Sequence, residues 1–331
     1  MPSDSLARRL GLIATILAFA VAVLGSYVRV SDAGLSCPDW PFCYGQLTTP
    51  DEPAEIERAN AAFPARPVET HKGKKEMLHR YLASTLGLVI MAIAARAVLR
   101  RKEDPRLLVP ILLLLLVVFQ GMLGMWTVTM LVHPAIVTAH LMGGLTTFAL
   151  SLAFTLERSG WLSGPELPRS MRVWSVLAVV VVLTQLVLGG WTSTHYAALA
   201  CISFPGCLPG NGWPAMDFAS AFVVLREVGV SYERGVLSAE ARMAVQMAHR
   251  LGALAVTLVG GGAAILAIVS GGLARRVGWA LLVAIGLQLT LGISGVLLFL
   301  PKILAVLHNA GAGLVVGAAT TLAVLAFRRA R

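Results

Sequence analysis

Four histidines form two pairs with similar surroundings: His79 with His140, and His249 with His308. The members of the two pairs are separated by nearly the same length of sequence. An arginine, Arg80 or Arg250, directly follows the first histidine of each pair. All four histidines lie a few residues inside apolar runs, where a polar imidazole is costly and therefore marks a functional site. Because neutral imidazole is a common metal ligand, the pattern predicts two metal centres.

Haem iron is the metal that two histidines from two helices suit best, because the porphyrin supplies the other ligands. Zinc is a weaker alternative, since it usually takes three or four protein ligands. Arg80 and Arg250 would then neutralise haem propionates through charge-assisted hydrogen bonds. The alternative for each arginine is an interfacial cation whose aliphatic stem lies in the membrane. The remaining histidines, His71, His133 and His195, are expected to be interfacial or solvated side chains.

The two pairs differ at one position of chemical interest. Glu76 stands three residues before His79, whereas Gln246 stands three residues before His249. Residues three apart share a helical face, so a carboxylate is expected beside the first site and a neutral amide beside the second. A carboxylate can act as an acid or base, or stabilise a cation. The alternative is a solvated carboxylate paired with a nearby lysine or with Arg80. We therefore predict substrate chemistry at the N-terminal site and electron relay at the C-terminal site.

The composition predicts an all-α integral membrane protein. Of its 331 residues, 57% are hydrophobic and only 13% are charged, against about 25% charged residues in soluble domains. About 20 apolar residues span a bilayer as a helix, and eight segments qualify. They are 10–30, 76–98, 107–128, 134–156, 172–192, 244–269, 276–299 and 302–327.

The charge distribution predicts the orientation of these spans, because basic residues accumulate in cytoplasmic loops. The side that carries both termini would hold 15 of the 27 basic residues and five of the 17 acidic ones. The basic residues are Arg8, Arg9, Arg96, Arg100, Arg101, Lys102, Arg106, Arg158, Arg169, Arg172, Arg275, Arg276, Arg328, Arg329 and Arg331. We therefore expect both termini in the cytoplasm and the histidines near the outer face of a bacterial inner membrane. The positive charge indicates contact with anionic membrane lipid, and not with nucleic acid.

Two long loops, roughly 31–75 and 193–243, fall on the other side and contain all four cysteines. These are Cys37, Cys43, Cys201 and Cys207. Cysteine pairs outside the cytoplasm are usually disulfides, so we expect one bond in each loop. A redox-active role for one pair stays open.

An internal repeat relates the two halves of the sequence. The offset from Gly25 to Gly189 is the same as the offset between the cysteines of the two loops, and the offsets between the two histidine pairs are only a few positions longer. An even number of spans in each half predicts a parallel repeat. We therefore expect two pseudo-symmetric four-helix bundles, formed by residues 1–160 and 161–331.

These segments together resemble the haem A synthase family. The resemblance rests on residues 76–80 with His140, on residues 246–250 with His308, and on residues 29–41 with the paired cysteines. It covers essentially the whole chain.

The resemblance implies oxidation of the C8 methyl group of haem O to a formyl group, which gives haem A for cytochrome c oxidase. His79 and His140 would hold the substrate haem O, His249 and His308 a permanent haem b, and Glu76 would be catalytic. The family also implies disulfides Cys37–Cys43 and Cys201–Cys207. Haem O synthase would be the upstream partner, and quinol or another donor would supply electrons.

Three questions stay open on the sequence. With two imidazoles on one iron, either one histidine leaves during turnover or water supplies the oxygen atom. A di-haem quinol-linked electron-transfer cytochrome would explain the four histidines equally well, but not the contrast of Glu76 with Gln246. A transporter built on a parallel repeat would need polar groups at mid-membrane, and the spans offer mainly Gln120, Gln185 and Gln288, which are expected to bond between helices.

Overall fold

The structure is a computed structural model that describes residues 5–162 and 166–328; Asp4, Arg329 and Arg331 lie outside these ranges. The described residues form ten helices and no strand. The helices are α1 (Ser5–Val30), α2 (Pro53–Ala62), α3 (Thr70–Leu99), α4 (Leu108–Thr129), α5 (Pro134–Ser159), α6 (Arg169–Thr194), α7 (Phe218–Ala221), α8 (Ala239–Ser270), α9 (Gly272–Leu297) and α10 (Lys302–Phe327). All except α2 and α7 are long and apolar enough to cross a membrane. The predicted all-α fold with eight spans is confirmed.

Five of the predicted starts are too late, because polar and charged residues extend the helices beyond their apolar runs. Helices α1, α6 and α9 begin at Ser5, Arg169 and Gly272 instead of residues 10, 172 and 276. Helix α3 begins at Thr70 instead of residue 76, and α8 begins at Ala239 instead of residue 244. The first turns of α3 are fixed to the preceding loop, since the Thr70 hydroxyl donates to the Pro50 carbonyl at 2.9 Å. The Ser238 hydroxyl caps α8 by accepting from the backbone N–H of Ala241, as an N-cap serine does.

The short helices α2 and α7 lie in the two long loops and were not predicted. Helix α2 begins with Pro53 at its first turn, where a missing N–H costs nothing. Helix α7 is a single turn capped by the Asp217 carboxylate, which accepts from the Ser220 N–H at 3.0 Å. Both loops therefore carry local structure of their own.

The eight long helices pack in two groups of four. In the first group α1 contacts α3 and α5, and α4 contacts the same two helices; in the second, α6 contacts α8 and α10, and α9 contacts the same two. The groups meet where α10 contacts α1 and α5 and where α5 contacts α6. One buried apolar core runs through both groups, with Phe154, Ile90, Leu281 and Leu322 among its fully buried side chains.

Further contacts between the two groups of helices are made at and beyond the ends of α1 and α6, where the two long loops begin. The Arg29 guanidinium donates to the Tyr196 hydroxyl and to the Ser193 carbonyl, both at 2.8 Å, and lies 4.3 Å from the centre of the Tyr196 ring. Nη1 of Arg66 lies 3.0 Å from a Glu233 carboxylate oxygen. Arg29 therefore joins the end of α1 to the end of α6 and to the start of the second loop, and Arg66 joins the first loop to the second.

Candidate haem-binding sites

The helices bring together the two histidine pairs that the sequence predicts. His79 and His140 are the tenth residue of α3 and the seventh of α5, within the first group of helices. His249 and His308 are the eleventh residue of α8 and the seventh of α10, within the second group. His79 therefore lies further along its helix than predicted, because α3 begins six residues earlier.

The geometry of the second pair suits a metal ion between two imidazoles. The His249 and His308 rings lie 6.4 Å apart between centroids, with an angle of 75° between their planes. Two metal–imidazole bonds of about 2.0–2.1 Å each take up roughly 4 Å of this distance, and the remainder corresponds to the two rings. The described residues hold no group of three or more His, Cys, Asp or Glu side chains around a possible metal. Haem iron needs only one or two protein ligands, and histidine is a common one, so two imidazoles would suit it.

A glycine of a neighbouring helix lies against each of the four imidazoles. The nearest atom to a Cβ added at each glycine is Cε1 of the histidine. The pairs are Gly25 with His79 at 2.9 Å, Gly124 with His140 at 3.5 Å, Gly189 with His249 at 3.2 Å, and Gly292 with His308 at 3.0 Å. Three of these distances are tighter than normal carbon contacts, so a side chain there would displace the ring. Each imidazole ring thus packs against a glycine, where the missing side chain leaves room for the ring.

Two of the glutamines contact the histidines of the second pair. Nε2 of Gln185 lies 3.1 Å from Nδ1 of His249 and donates to the His249 carbonyl at 3.0 Å. Nε2 of Gln288 lies 3.3 Å from Nε2 of His308. The expected interhelical bonds of these glutamines are confirmed, and their partners are the candidate iron ligands.

Glu76 is a buried carboxylate with a full set of donors. The residue is 4% exposed, and Oε2 accepts from the Ser36 hydroxyl and from the Cys37 N–H, both at 3.0 Å. Oε1 pairs with the Arg80 guanidinium. The alternative of a solvated carboxylate is therefore wrong, although the expected pairing with Arg80 is present. The carboxylate is held between the first disulfide loop and the helix of His79.

Gln246 occupies the corresponding place in the other half. It is also 4% exposed, and its Oε1 accepts from the Cys201 N–H at 2.9 Å. Glu76 and Gln246 thus make the same bond to the first cysteine of their loops. They differ in charge, and in the ion pair that only a carboxylate can form with the following arginine.

Arg80 and Arg250 brace the two cysteine loops through backbone carbonyls. Arg80 donates to Asp39 at 3.0 Å and Phe42 at 2.6 Å, and Arg250 donates to Ser203 at 2.8 Å and Gly206 at 2.6 Å. Nη2 of Arg250 also donates to the Cys201 carbonyl at 3.0 Å. The structure thus gives both arginines loop-bracing bonds that the sequence did not indicate.

Both expected disulfides are present. Cys37 bonds to Cys43 and Cys201 bonds to Cys207, and all four cysteines are fully buried. The described residues include no free cysteine. Each disulfide closes the loop that Glu76 or Gln246 holds against its histidine helix.

Comparison with known proteins agrees with this geometry. The family model described as cytochrome oxidase assembly protein, COX15-CtaA, matches residues 8–320. The chain belongs to this family.

Proteins named haem A synthase are similar over nearly the whole chain. That of Shewanella oneidensis is 39% identical over 92% of this chain and 91% of its own length. Those of Caulobacter sp. strain K31 and Caulobacter vibrioides are each 29% identical over 94% of this chain and 93% of their own lengths. The similarity therefore extends over both halves of the chain.

Two histidines outside the pairs are buried, so the solvated alternative of the prediction is wrong for them. His133 is 7% exposed and its ring packs edge-on against Tyr232 at 5.2 Å. His195 is 1% exposed, lies 4.5 Å from the Trp191 ring, and has its pKa lowered to about 4 because burial disfavours the charged form. The fold of the second loop over α5 and α6 buries both, and sequence position alone did not reveal this. His71 is exposed, as expected.

The internal repeat is the sequence signal that marks the four glycines. Gly25 and Gly189 stand at the same offset as the cysteines of the two loops, and Gly124 and Gly292 stand at the same offset as His140 and His308. Their common role is to accept an imidazole from the adjacent helix.

Proposed function

We propose that this chain is a membrane-bound oxidoreductase that converts haem O into haem A for cytochrome oxidase. The single observation that carries the proposal is the pair of imidazoles at 6.4 Å within a helix group, in a chain 39% identical to a haem A synthase over 92% of its length. Four histidines, each seated on a glycine of another helix, suit two bis-imidazole haems. The eight apolar helices make the enzyme a multi-pass membrane protein.

The two sites are proposed to divide the work. His79 and His140 would bind the substrate haem O, and His249 and His308 would bind a haem b that relays electrons. The contrast between Glu76 and Gln246 supports this division, because both hold their cysteine loop but only Glu76 brings a negative charge. A site that only relays electrons needs no carboxylate.

Glu76 is the proposed catalytic residue. The bound haem O supplies the methyl group that is oxidised, and its iron supplies the redox chemistry. The buried carboxylate would stabilise positive charge that develops near it, or accept a proton from water. The Ser36 hydroxyl and the Cys37 N–H fix its position, so little reorganisation is needed when charge appears.

Arg80 and Arg250 are proposed to serve haem binding in two ways. Their bonds to loop carbonyls hold the disulfide loops beside the sites. Each guanidinium also offers positive charge to the carboxylates of a haem. The disulfides Cys37–Cys43 and Cys201–Cys207 keep these loops compact.

The wider setting is proposed from chemistry and charge. Haem O synthase would supply the substrate, cytochrome c oxidase would receive the product, and quinol or another donor would supply electrons. The protein would lie in a bacterial inner membrane with both termini in the cytoplasm, since 15 of the 27 basic residues fall on that side. The histidine sites would face the periplasm, and the halves 1–160 and 161–331 would form two related bundles.

The test is expression of the full chain beside a haem O synthase, followed by chromatography of the extracted haem. Wild-type protein should yield haem A, and His79→Ala should abolish haem A while haem b stays bound. His249→Ala should instead remove the stably bound haem b. Recovery of haem b alone from wild-type protein, with no haem O or haem A, would contradict the proposal and favour a di-haem quinol-linked electron-transfer cytochrome.

A further inference from the structure

Three of the four histidines share an arrangement of a glutamine and a glycine. In each case a glycine stands three residues after the histidine, and the glutamine of a neighbouring helix fills the space where its Cβ would be. The sets are Gln120 with Gly143 beside His140, Gln185 with Gly252 beside His249, and Gln288 with Gly311 beside His308. The glycine thus admits a primary amide one helical turn from the imidazole.

The amide is placed to hold the imidazole ring. Gln185 lies 3.1 Å from a ring nitrogen of His249, and Gln288 lies 3.3 Å from one of His308. A primary amide can donate or accept, so it can pair with either nitrogen of a neutral imidazole. When one ring nitrogen binds iron, the other carries N–H, so the amide would turn over and accept through its oxygen. Acceptors of this kind fix the orientation of metal-binding histidines and raise metal affinity.

Gln120 holds the same place in the N-terminal half. The offset from Gln120 to Gln288 equals the offset from His140 to His308. Its Nε2 is buried and has no hydrogen-bond partner within the described residues. An unpartnered amide in an apolar helix group is costly, and the imidazole one turn away is the group it can serve.

His79 departs from this arrangement at both positions. Val21 precedes Gln185 by the same offset that relates Gly25 to Gly189, so it takes the place of the glutamine. Leu82 stands three residues after His79, where the other three histidines have a glycine. Neither Val21 nor Leu82 has a side-chain hydrogen-bonding group. The Val21 backbone hydrogen-bonds to the His79 ring, as the backbones of Gln120 and Gln288 do to His140 and His308. The missing amide side chain is therefore what sets His79 apart.

We infer that the glutamines are positioning residues for His140, His249 and His308, and that His79 is the exchangeable ligand of the substrate site. This inference rests on the proposed function, in which the N-terminal haem is substrate and the C-terminal haem is permanent. A substrate must enter and leave, so its site benefits from one ligand that releases readily. His140 keeps the haem oriented while the His79 ring turns away.

Carbon monoxide binding to the purified, reduced holoprotein tests this inference. Carbon monoxide binds a six-coordinate haem only after an imidazole leaves, and no electron is transferred in that exchange. We expect two kinetic phases, with the N-terminal haem reacting about tenfold or more faster, in line with the roughly 10–100-fold effects of such partners on metal affinity. The single variants His79→Ala and His249→Ala assign the phases.

Paired substitutions exchange the two environments. Val21→Gln with Leu82→Gly should slow the fast phase, and Gln185→Val with Gly252→Leu should speed the slow phase. Val21→Leu is the matched control, since it adds bulk without an amide, and it should leave both rates unchanged. If the first double variant does not retain haem, the second still tests the inference in the other half.

Equal rates at the two haems of the wild-type protein would overturn the inference, as would an unchanged slow phase in the Gln185→Val, Gly252→Leu variant. The proposed function is assessed separately by the haem extracted from the same cells. Wild-type protein that forms haem A but shows equal rates refutes only the inference. Wild-type protein that never yields haem O or haem A refutes the proposed function.

Discussion

Glu76 and Gln246 show how one residue position separates structural support from chemistry. Both side chains are buried and both accept the N–H of the first cysteine of their loop. This shared bond explains why a hydrogen-bond acceptor is needed at the position in either half. The negative charge of Glu76, held by Arg80 and Ser36, is the additional property of the first half. A substitution that keeps the bond and removes the charge therefore isolates the chemistry.

Glu76→Gln should retain haem binding and lower haem A formation by roughly 10²-fold or more, the usual contribution of a catalytic acid or base. The glutamine should keep the Cys37 bond, as Gln246 keeps the bond to Cys201. The ratio of haem A to haem O in extracts measures the effect. Gln246→Glu is the control in the other half and should leave that ratio unchanged. Undiminished haem A from Glu76→Gln would exclude a role for the charge.

At the scale of the helices, close approach at glycine creates the sites. Each histidine arises from one helix, and the glycine that receives it belongs to the adjacent one: α1 for α3, α4 for α5, α6 for α8 and α9 for α10. Helices in membranes approach closely where small residues meet. The same contact that joins two helices therefore also seats a ligand ring.

Gly25→Ala should reduce haem occupancy of the N-terminal site without unfolding the protein. The new Cβ would lie 2.9 Å from Cε1 of His79, and such overpacking costs about 1–3 kcal/mol. Haem content per polypeptide measures the loss, and the haem b of the other site should remain. Gly144→Ala is the matched control, because no atom lies within 4 Å of a Cβ there. Equal haem content in the two variants would refute the seating role of Gly25.

The helices and the two histidine pairs could be predicted from the sequence because their signals are local or repeated. Long apolar runs indicate the eight membrane spans. The nearly equal spacing within the two histidine pairs indicates that both pairs belong to one repeated pattern. The start of α3 at Thr70 could not be predicted in this way, since residues 70–75 are polar and their helix depends on contacts with the first loop. Hydropathy does not report such contacts.

The environments of single side chains were harder to predict, because they depend on distant segments. Glu76 is buried under the first long loop, whose Ser36 hydroxyl donates to it from far back in the sequence. His195 is buried against Trp191 under the second long loop. Sequence spacing gives the helix face of a residue, but it does not show which loop covers that face.

For the whole molecule, the distribution of charge and the position of the disulfide loops define two different surfaces. The disulfide loops and the connection after α3 emerge at opposite ends of that helix. Lys74 lies in the first turns of α3, and Lys102 follows the end of the same helix. Both side chains are exposed, so they report the two sides of the membrane.

A membrane-impermeant amine reagent applied to intact spheroplasts should label Lys74 and spare Lys102. Lysis before labelling should expose both lysines, and mass spectrometry of the peptides measures the result. Lys74→Arg is the matched control, since it keeps the charge and the ion pair with Asp51 while removing the reactive amine. Labelling of Lys102 in intact spheroplasts, with Lys74 spared, would reverse the proposed orientation.

The contacts between the two groups of helices have a reciprocal pattern. The first helix of one group contacts the last helix of the other group in both directions: α1 contacts α10, and α6 contacts α5. The two last helices, α5 and α10, also contact each other. Two identical subunits related by a two-fold axis make contacts of this kind. In a homodimer every substitution appears at both sites, whereas in a fused chain each site accumulates its own. Covalent linkage therefore permits different residues at corresponding positions of the two halves. Glu76 in the first half corresponds to Gln246 in the second, and Val21 corresponds to Gln185.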